Sequence, residues 1–228
     1  MSDLLDRPVW NALRTGWAPL AEGDAHAWRL QRGYGMFAAP ADHSADSLAA
    51  LAALMPDDGG PLIVVDDRPC PPPPGTVLAG PHEAVVQMFC AAPVAAEASD
   101  IAMCLLTEDD AADMYDLAML TKPGPYARHT NRLGDFLGVR RGGALVAMAG
   151  ERMRMPGLAE VSGVCTHPDH RGKGYAAALI RGVMARMRAK GETPFLHAMA
   201  DNAGAIAVYE RLGFRHRATM TGCALVRG

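Results

Sequence analysis

The sequence has no Cys-x-x-Cys pair, no basic block and no long apolar run, and each absence removes a class of protein. Its five cysteines, at 70, 90, 104, 165 and 223, are odd in number and scattered. That pattern suits reduced thiols in the cytoplasm better than a disulfide framework. The formal net charge is −3, and no Lys/Arg stripe marks a nucleic-acid surface. Charges or prolines interrupt the apolar stretches every few residues, well short of a membrane span. Residues 1–7 are acidic and lack an apolar h-region, so no signal peptide is expected. The expectation is a cytoplasmic protein without nucleic-acid or membrane partners, and no repeat at solenoid spacing appears.

What is present is an ordinary globular composition. The chain has 228 residues, half of them hydrophobic and 21% charged, enough for one large domain or two small ones. Four consecutive prolines at 71–74 make a stiff spacer, and the small, Ala-rich stretch 91–100 reads as a linker. These divide an N-terminal α/β region, 1–98, from a C-terminal domain, 99–228. In the first region, 8–22 reads as a helix with Val9, Leu13 and Leu20 inward, 47–55 as a second helix, and 61–65 and 85–90 as strands.

Signals sharpen after the linker. A strand is expected over 101–106, followed by a helix capped at Thr107 with acids in its first turn and with Met114, Leu117 and Leu120 at helical spacing. Strands over 134–139 and 143–152 flank a hairpin turn at 140–143, and 158–166 is the next strand. A helix over 174–190, a strand over 195–199, a short helix over 202–212 and a hairpin from 214 onward complete the reading.

The clearest chemistry lies between the strand 158–166 and the helix start at 174. Gly172 and Gly174 remove side chains so that backbone N–H groups can approach an anion, and the helix dipole adds to this. Arg171 and Lys173 supply charge suited to a pyrophosphate. Gly172-x-Gly174-x-x-Ala177 also fits a dinucleotide fingerprint with Glu192 as its acid. But Glu192 precedes its strand, and too few βαβ units follow for a Rossmann sheet. A plain Gly-rich turn is the third reading.

Arg171-Gly172-Lys173-Gly174-Tyr175-Ala176 resembles the signature of the GNAT superfamily: Arg or Gln, two residues, Gly, one residue, Gly or Ala. The strand 160–166, the turn His167-Pro168 and the later Asn202…Tyr209…Leu212-Gly213-Phe214 agree with it, so the resemblance covers about 101–228. It implies an α/β GNAT fold, a mixed central sheet flanked by helices. The strand-helix-strand order of 1–98 permits a degenerate GNAT-like half there, serving dimerisation or acceptor binding.

The resemblance further implies an N-acetyltransferase that passes an acetyl or other short acyl group from acyl-CoA to a primary amine of a small molecule or amino acid. Transfer is direct, within a ternary complex, and no metal is expected. Val164, Cys165 and Thr166 would lie along the pantetheine, and Arg171, Gly172, Lys173, Gly174, Tyr175 and Ala176 would hold the pyrophosphate. Asn202 would bond the pantetheine arm or simply cap its helix. Tyr209 would protonate the departing thiolate, the alternative being a core tyrosine. Glu160, eleven residues before Arg171 and alternating with Ser162 and Val164 on one strand face, would act as base; otherwise it is a solvent-facing strand glutamate and water serves.

Other residues carry weaker readings. His167 and His170 lack further metal ligands, and Cys165 reads as packing. Met148, Met153 and Met155 are candidates to line an acceptor pocket, as are Tyr126, Arg128, His129 and Thr130 of the segment 122–132. A non-catalytic acyl-CoA sensor and a glycine-acyltransferase-type amino-acid N-acyltransferase are the alternatives.

Overall fold

In the computed structural model, which describes residues 3–92 and 100–228, the chain begins with a 3-10 turn over Asp3–Asp6 and helix α1 (Pro8–Leu13). Pro8 sits at the first helical position, where no N–H partner is needed. The helix expected over 8–22 ends here. The chain turns so that Gly16 N donates to the Arg154 carbonyl at 3.2 Å, and a Cβ on Gly16 would lie 2.2 Å from that oxygen. Leu20 falls in the separate 3-10 turn Ala18–Leu20 and is half-buried.

Three short strands, β1 (Ala21–Gly23), β2 (Ala27–Leu30) and β3 (Ala38–Pro40), make an antiparallel sheet in that order. Helix α2 (Ala45–Ala53) follows, its first turn capped by the Ser44 hydroxyl accepting from Ser47 N. Then come β4 (Leu62–Asp66), β5 (Thr76–Leu78) and β6 (Glu83–Phe89). The boundary drawn at 98/99, and most of the expected linker, lie outside the described residues.

Beyond it stand β7 (Cys104–Leu106), α3 (Ala111–Thr121), β8 (Phe136–Arg141), β9 (Ala144–Met155), β10 (Leu158–Thr166), α4 (Tyr175–Ala189), β11 (Thr193–Met199), α5 (Ala203–Arg211) and β12 (Arg215–Arg227). Before α3, the Asp110 carboxylate accepts from the Thr107 N–H and hydroxyl. Strand β7 covers only the second half of the expected 101–106. Met114, Leu117 and Ala118 form the inward stripe of α3, and Leu120, at the same helical spacing, is 54% exposed.

The large sheet has nine strands among the described residues, running β4-β12-β6-β11-β10-β9-β8-β7 with β5 also on β12. Only the β10–β11 pair is parallel, joined through the crossover helix α4; the other pairs are antiparallel. The expected hairpin from 214 onward is instead the single strand β12. It finds its partners in β4, β5 and β6 from the first half of the chain, so it has no need to fold back on itself. Helices α4 and α5 cover one sheet face, α4 through Leu179, Ile180, Val183 and Met187 and α5 through Ile206, Val208 and Tyr209. Helices α1 and α3 cover the other, around Leu13 and Trp17 and around Met114 and Leu117 respectively.

Candidate functional site

The parallel register of β10 and β11 ends at Glu160 opposite Phe195. Both strands continue, to Thr166 and Met199, so they part like a fork. A bulge in β10 helps aim the fork. Ser162 pairs with Gly150 and Cys165 with Met148, so Gly163 and Val164 together oppose the single residue Ala149. Gly163 takes φ 62°, and a Cβ there would lie 2.9 Å from the Phe136 ring. Both constraints require glycine.

The extra residue shifts the parity of the strand. Val164 packs into the α4-side core with Ala159 and Val161, and Cys165 joins Phe136 and Tyr126 on the α3 side. The expected common face for Glu160, Ser162 and Val164 is therefore broken. Burial pushes the Cys165 thiol up to about 11, away from any nucleophilic role. Thr166 closes the strand half-buried, paired with Ala147.

Between the fork and α4 the chain makes a 3-10 turn, Pro168–His170, and then the glycine loop. Gly172 and Gly174 have φ 75° and 76°, and a Cβ on either would meet at most one atom, 3.9 Å away. Their need for glycine comes from the backbone conformation, which turns the chain so that α4 begins at Tyr175. Arg171 and Lys173 are exposed and have no ion-pair partner among the described residues. The Tyr175 side chain, by contrast, is buried: its hydroxyl accepts from Arg141 Nε at 3.1 Å while that guanidinium lies over its ring. Only the backbone of Tyr175 is available to an anion, and Ala176 behind it is half-buried. The geometry adds Arg141, read from sequence only as part of a turn, to the surroundings of this loop.

Tyr209, on α5, packs against the same core as Val164 and meets Phe214 edge-on at 6.1 Å between ring centroids. Burial pushes its hydroxyl up, so it keeps its proton over the neutral range. Asn202 caps α5, its Oδ1 accepting from Ala205 N at 3.1 Å, and is exposed. The structure thus brings Val164, Tyr209 and the start of α4 together on one side of the fork.

Glu160 belongs to the other side, fully buried and not solvent-facing. Arg152 Nε and Nη2 each donate to it at 2.8 Å, Met153 N donates at 3.4 Å, and His197 Nδ1 lies 2.8 Å from Oε1. Burial by itself would raise this carboxyl. The charge and hydrogen bonds of Arg152, joined by His197, outweigh it and hold the group down at about 2. The row continues across the sheet, with His197 Nε2 3.1 Å from Gln87 Nε2 and Arg217 Nη1 donating to Gln87 Oε1 at 3.0 Å. The N-terminal region covers it: Gln87 donates to the Leu5 carbonyl, Trp17 Nε1 to the Arg152 carbonyl, and the Arg152 guanidinium lies over Phe37.

The sequence reading missed His197 and Gln87. The available signal was a histidine inside an otherwise apolar strand core, Phe195-Leu196-His197-Ala198-Met199.

The segment 122–132 is tied to the N-terminal region. His129 N donates to the Gly33 carbonyl, the His129 ring meets Tyr34 edge-on, and the Thr130 hydroxyl donates to the Tyr34 carbonyl. Tyr126 is buried beside Phe136, and Arg128 lies over Tyr115. Met148, Met153 and Met155 are buried in the core. The His167 and His170 rings touch edge-on, but among the described residues no three metal-type ligands converge.

The family profile described as FR47-like protein matches residues 136–221. A GNAT-family protein from Novosphingobium aromaticivorans is 45% identical in sequence over 100% of both chains, with a TM-score of 0.92. A GCN5-related N-acetyltransferase from Kribbella flavida shares the fold at 16% identity, with a TM-score of 0.68 over 96% of this chain and 94% of that one. A GCN5-related N-acetyltransferase-like protein from Streptococcus suis does so at 14% identity and a TM-score of 0.58, over 100% of this chain and 95% of that one. No curated protein matches the sequence.

Proposed function

The chain belongs to the GNAT family of acetyltransferases, and on that premise we propose that it moves an acetyl group from acetyl-CoA to the primary amine of a small molecule. The observation that carries this reading is the forked pair β10–β11 opening beside the glycine loop at the start of α4. In this reading, backbone N–H groups at 172–176, with Arg171 and Lys173, hold the pyrophosphate. Past Glu160, the edge of β10 is released from β11, so the backbone groups on that edge would bond the pantetheine and polarise the thioester carbonyl. Asn202, which caps α5 through its Oδ1, would bond the same arm through its side-chain amide.

Tyr209 supplies the proton for the departing thiolate. Its hydroxyl has no hydrogen-bond partner among the described residues and lies on the α4 side with Val164, where the thioester would run. Burial keeps the hydroxyl protonated until the C–S bond breaks. In this reading the amine meets the thioester at the fork.

The test is release of free CoA from acetyl-CoA across a panel of primary amines, with calorimetry of acetyl-CoA and NADH binding alongside. Binding of acetyl-CoA with amine-dependent thiol release is expected. Binding without turnover for any amine would favour a sensor, and NADH binding without CoA binding would overturn the reading.

A further inference from the structure

The polar row across the fork has a determinate hydrogen-bond polarity. Gln87 Oε1 accepts from Arg217, which can only donate, and Gln87 Nε2 donates at 2.9 Å to the Leu5 carbonyl, which can only accept. The amide orientation is thereby fixed. Gln87 Nε2 also faces His197 Nε2 at 3.1 Å, so that ring nitrogen must be the acceptor and bear no hydrogen. The ring proton then sits on Nδ1 and is donated to Glu160 Oε1 at 2.8 Å.

The same inventory shows which group can take a proton. Each Glu160 oxygen already accepts two bonds: Oε1 from Arg152 and His197, Oε2 from Arg152 and Met153 N. Arg152 and Arg217 are donors only, and Gln87 is no base. His197 Nε2 is left as the one basic lone pair in the row. Its bond from Gln87 is also the easiest to give up. That amide has two hydrogens for three acceptors, the third being Met220 Sδ at 3.3 Å.

The position fits as well. Glu160 and Phe195 are the last paired residues, and His197 stands two residues into the opening with its side chain almost closed to solvent. Glu160, Gln87 and the Phe195 ring face it directly, the ring edge-on at 5.7 Å, and Arg152 and Arg217 with Asp6 stand behind.

We propose that His197 Nε2 takes the proton of the acceptor's ammonium group, with Glu160 as the positioning carboxylate on the opposite ring nitrogen. The proposal rests on the acetyl-transfer reading above. The ammonium gives one proton to Nε2 and becomes a neutral amine. Its nitrogen lone pair forms the C–N bond at the thioester carbon, and the electron pair of the breaking C–S bond leaves on sulfur. Tyr209 protonates that sulfur, the second amine proton restores Tyr209, and His197 passes its proton to solvent. Glu160 stays a carboxylate throughout.

The test compares wild type with His197→Gln, which keeps a donor for Glu160, on two amines: benzylamine, protonated near neutral pH, and aniline, neutral there. Loss of a proton acceptor should lower kcat/KM for benzylamine about 100-fold and for aniline less than about threefold, with acetyl-CoA affinity unchanged. Equal losses for the two amines would mark a merely structural histidine and overturn the proposal. Nitrogen-15 spectra of histidine-labelled wild-type protein give a second readout, independent of the His197 substitution. The His197 signal, identified by its shift in Gln87→Leu, should show the Nδ1–H tautomer, and an Nε2–H ring overturns the proposal. Wild-type protein that neither binds acetyl-CoA nor releases CoA overturns the parent reading. An active wild type with either adverse result overturns this one alone.

Discussion

The two sides of the fork are built on opposite principles. On the α4 side, the glycine loop is exposed, its cations have no ion-pair partner among the described residues, and backbone conformation fixes its shape. On the other side, Glu160, Gln87 and Arg152 are buried, Arg152 bonded to Glu160 and His197 linking Glu160 to Gln87, and five strands supply the row's members. A loop shaped by its own glycines can meet a large anion with little rearrangement. A buried carboxylate persists only because its partners are all in place. The first side is therefore expected to govern affinity and tolerate change, and the second to govern stability and proton movement.

The largest expected effect lies in the buried row. Glu160→Leu strands the Arg152 guanidinium and should cost about 3–5 kcal/mol of stability, measured by urea unfolding. The acid limb of the same experiment carries a sign. The folded carboxyl is held at about 2, below its ordinary 4.5, so its contribution is complete above about pH 4.5 and drains away as pH falls toward 2. A wild-type protein whose stability is flat across that window would show that Arg152 and Glu160 are not paired in solution.

Next is Tyr209→Phe, which keeps the ring against Phe214 and removes only the hydroxyl. An interaction confined to the transition state should lower kcat about 100-fold and leave the acetyl-CoA Kd within about twofold. Full turnover would make Tyr209 a core residue only.

Smaller again is Arg171→Ala. A charge-assisted bond at an exposed loop is lost, so Kd for acetyl-CoA should rise about tenfold while stability stays within about 0.5 kcal/mol. Reversal of that pattern, with stability lost and affinity kept, would erase the contrast between the two sides. Last comes Gly172→Ala. No atom lies within 4 Å of the added Cβ, so the only cost is the φ of 75°, about 1 kcal/mol, read as a severalfold weaker Kd.

The same contrast decides what was legible in the sequence. The glycine loop, the strand Leu158–Thr166 and the helix Tyr175–Ala189 are local, and their residues announce them through spacing, caps and apolar stripes. The row was not legible, because Arg152, Glu160, His197, Gln87 and Arg217 meet only once five strands have found their order. Glu160 could be picked out by its distance from Arg171, but its environment could not. The bulge at Gly163 was hidden too, since one extra residue leaves the alternating pattern readable and silently moves Val164 to the opposite face. Two other misreadings share this cause. The helix expected over 8–22 stops short where Gly16 meets the distant Arg154 carbonyl, and β12 stands in place of the expected hairpin because its partners lie in the first half of the chain.

The place of β12 also sets a schedule for biosynthesis. Strand β6 lies between β11 and β12, and β4 reaches the large sheet only through β12. On a ribosome that makes the chain from its N-terminal end, both edges of residues 83–89 and the β12-facing edge of residues 62–66 stay unpaired until residues 193–227 emerge. Open edges of this kind recruit other strands. The nascent polypeptide must therefore shelter its earliest strands until its latest one arrives, and a ribosome stalled before residue 215 would hold a sticky, half-assembled sheet rather than a smaller working protein.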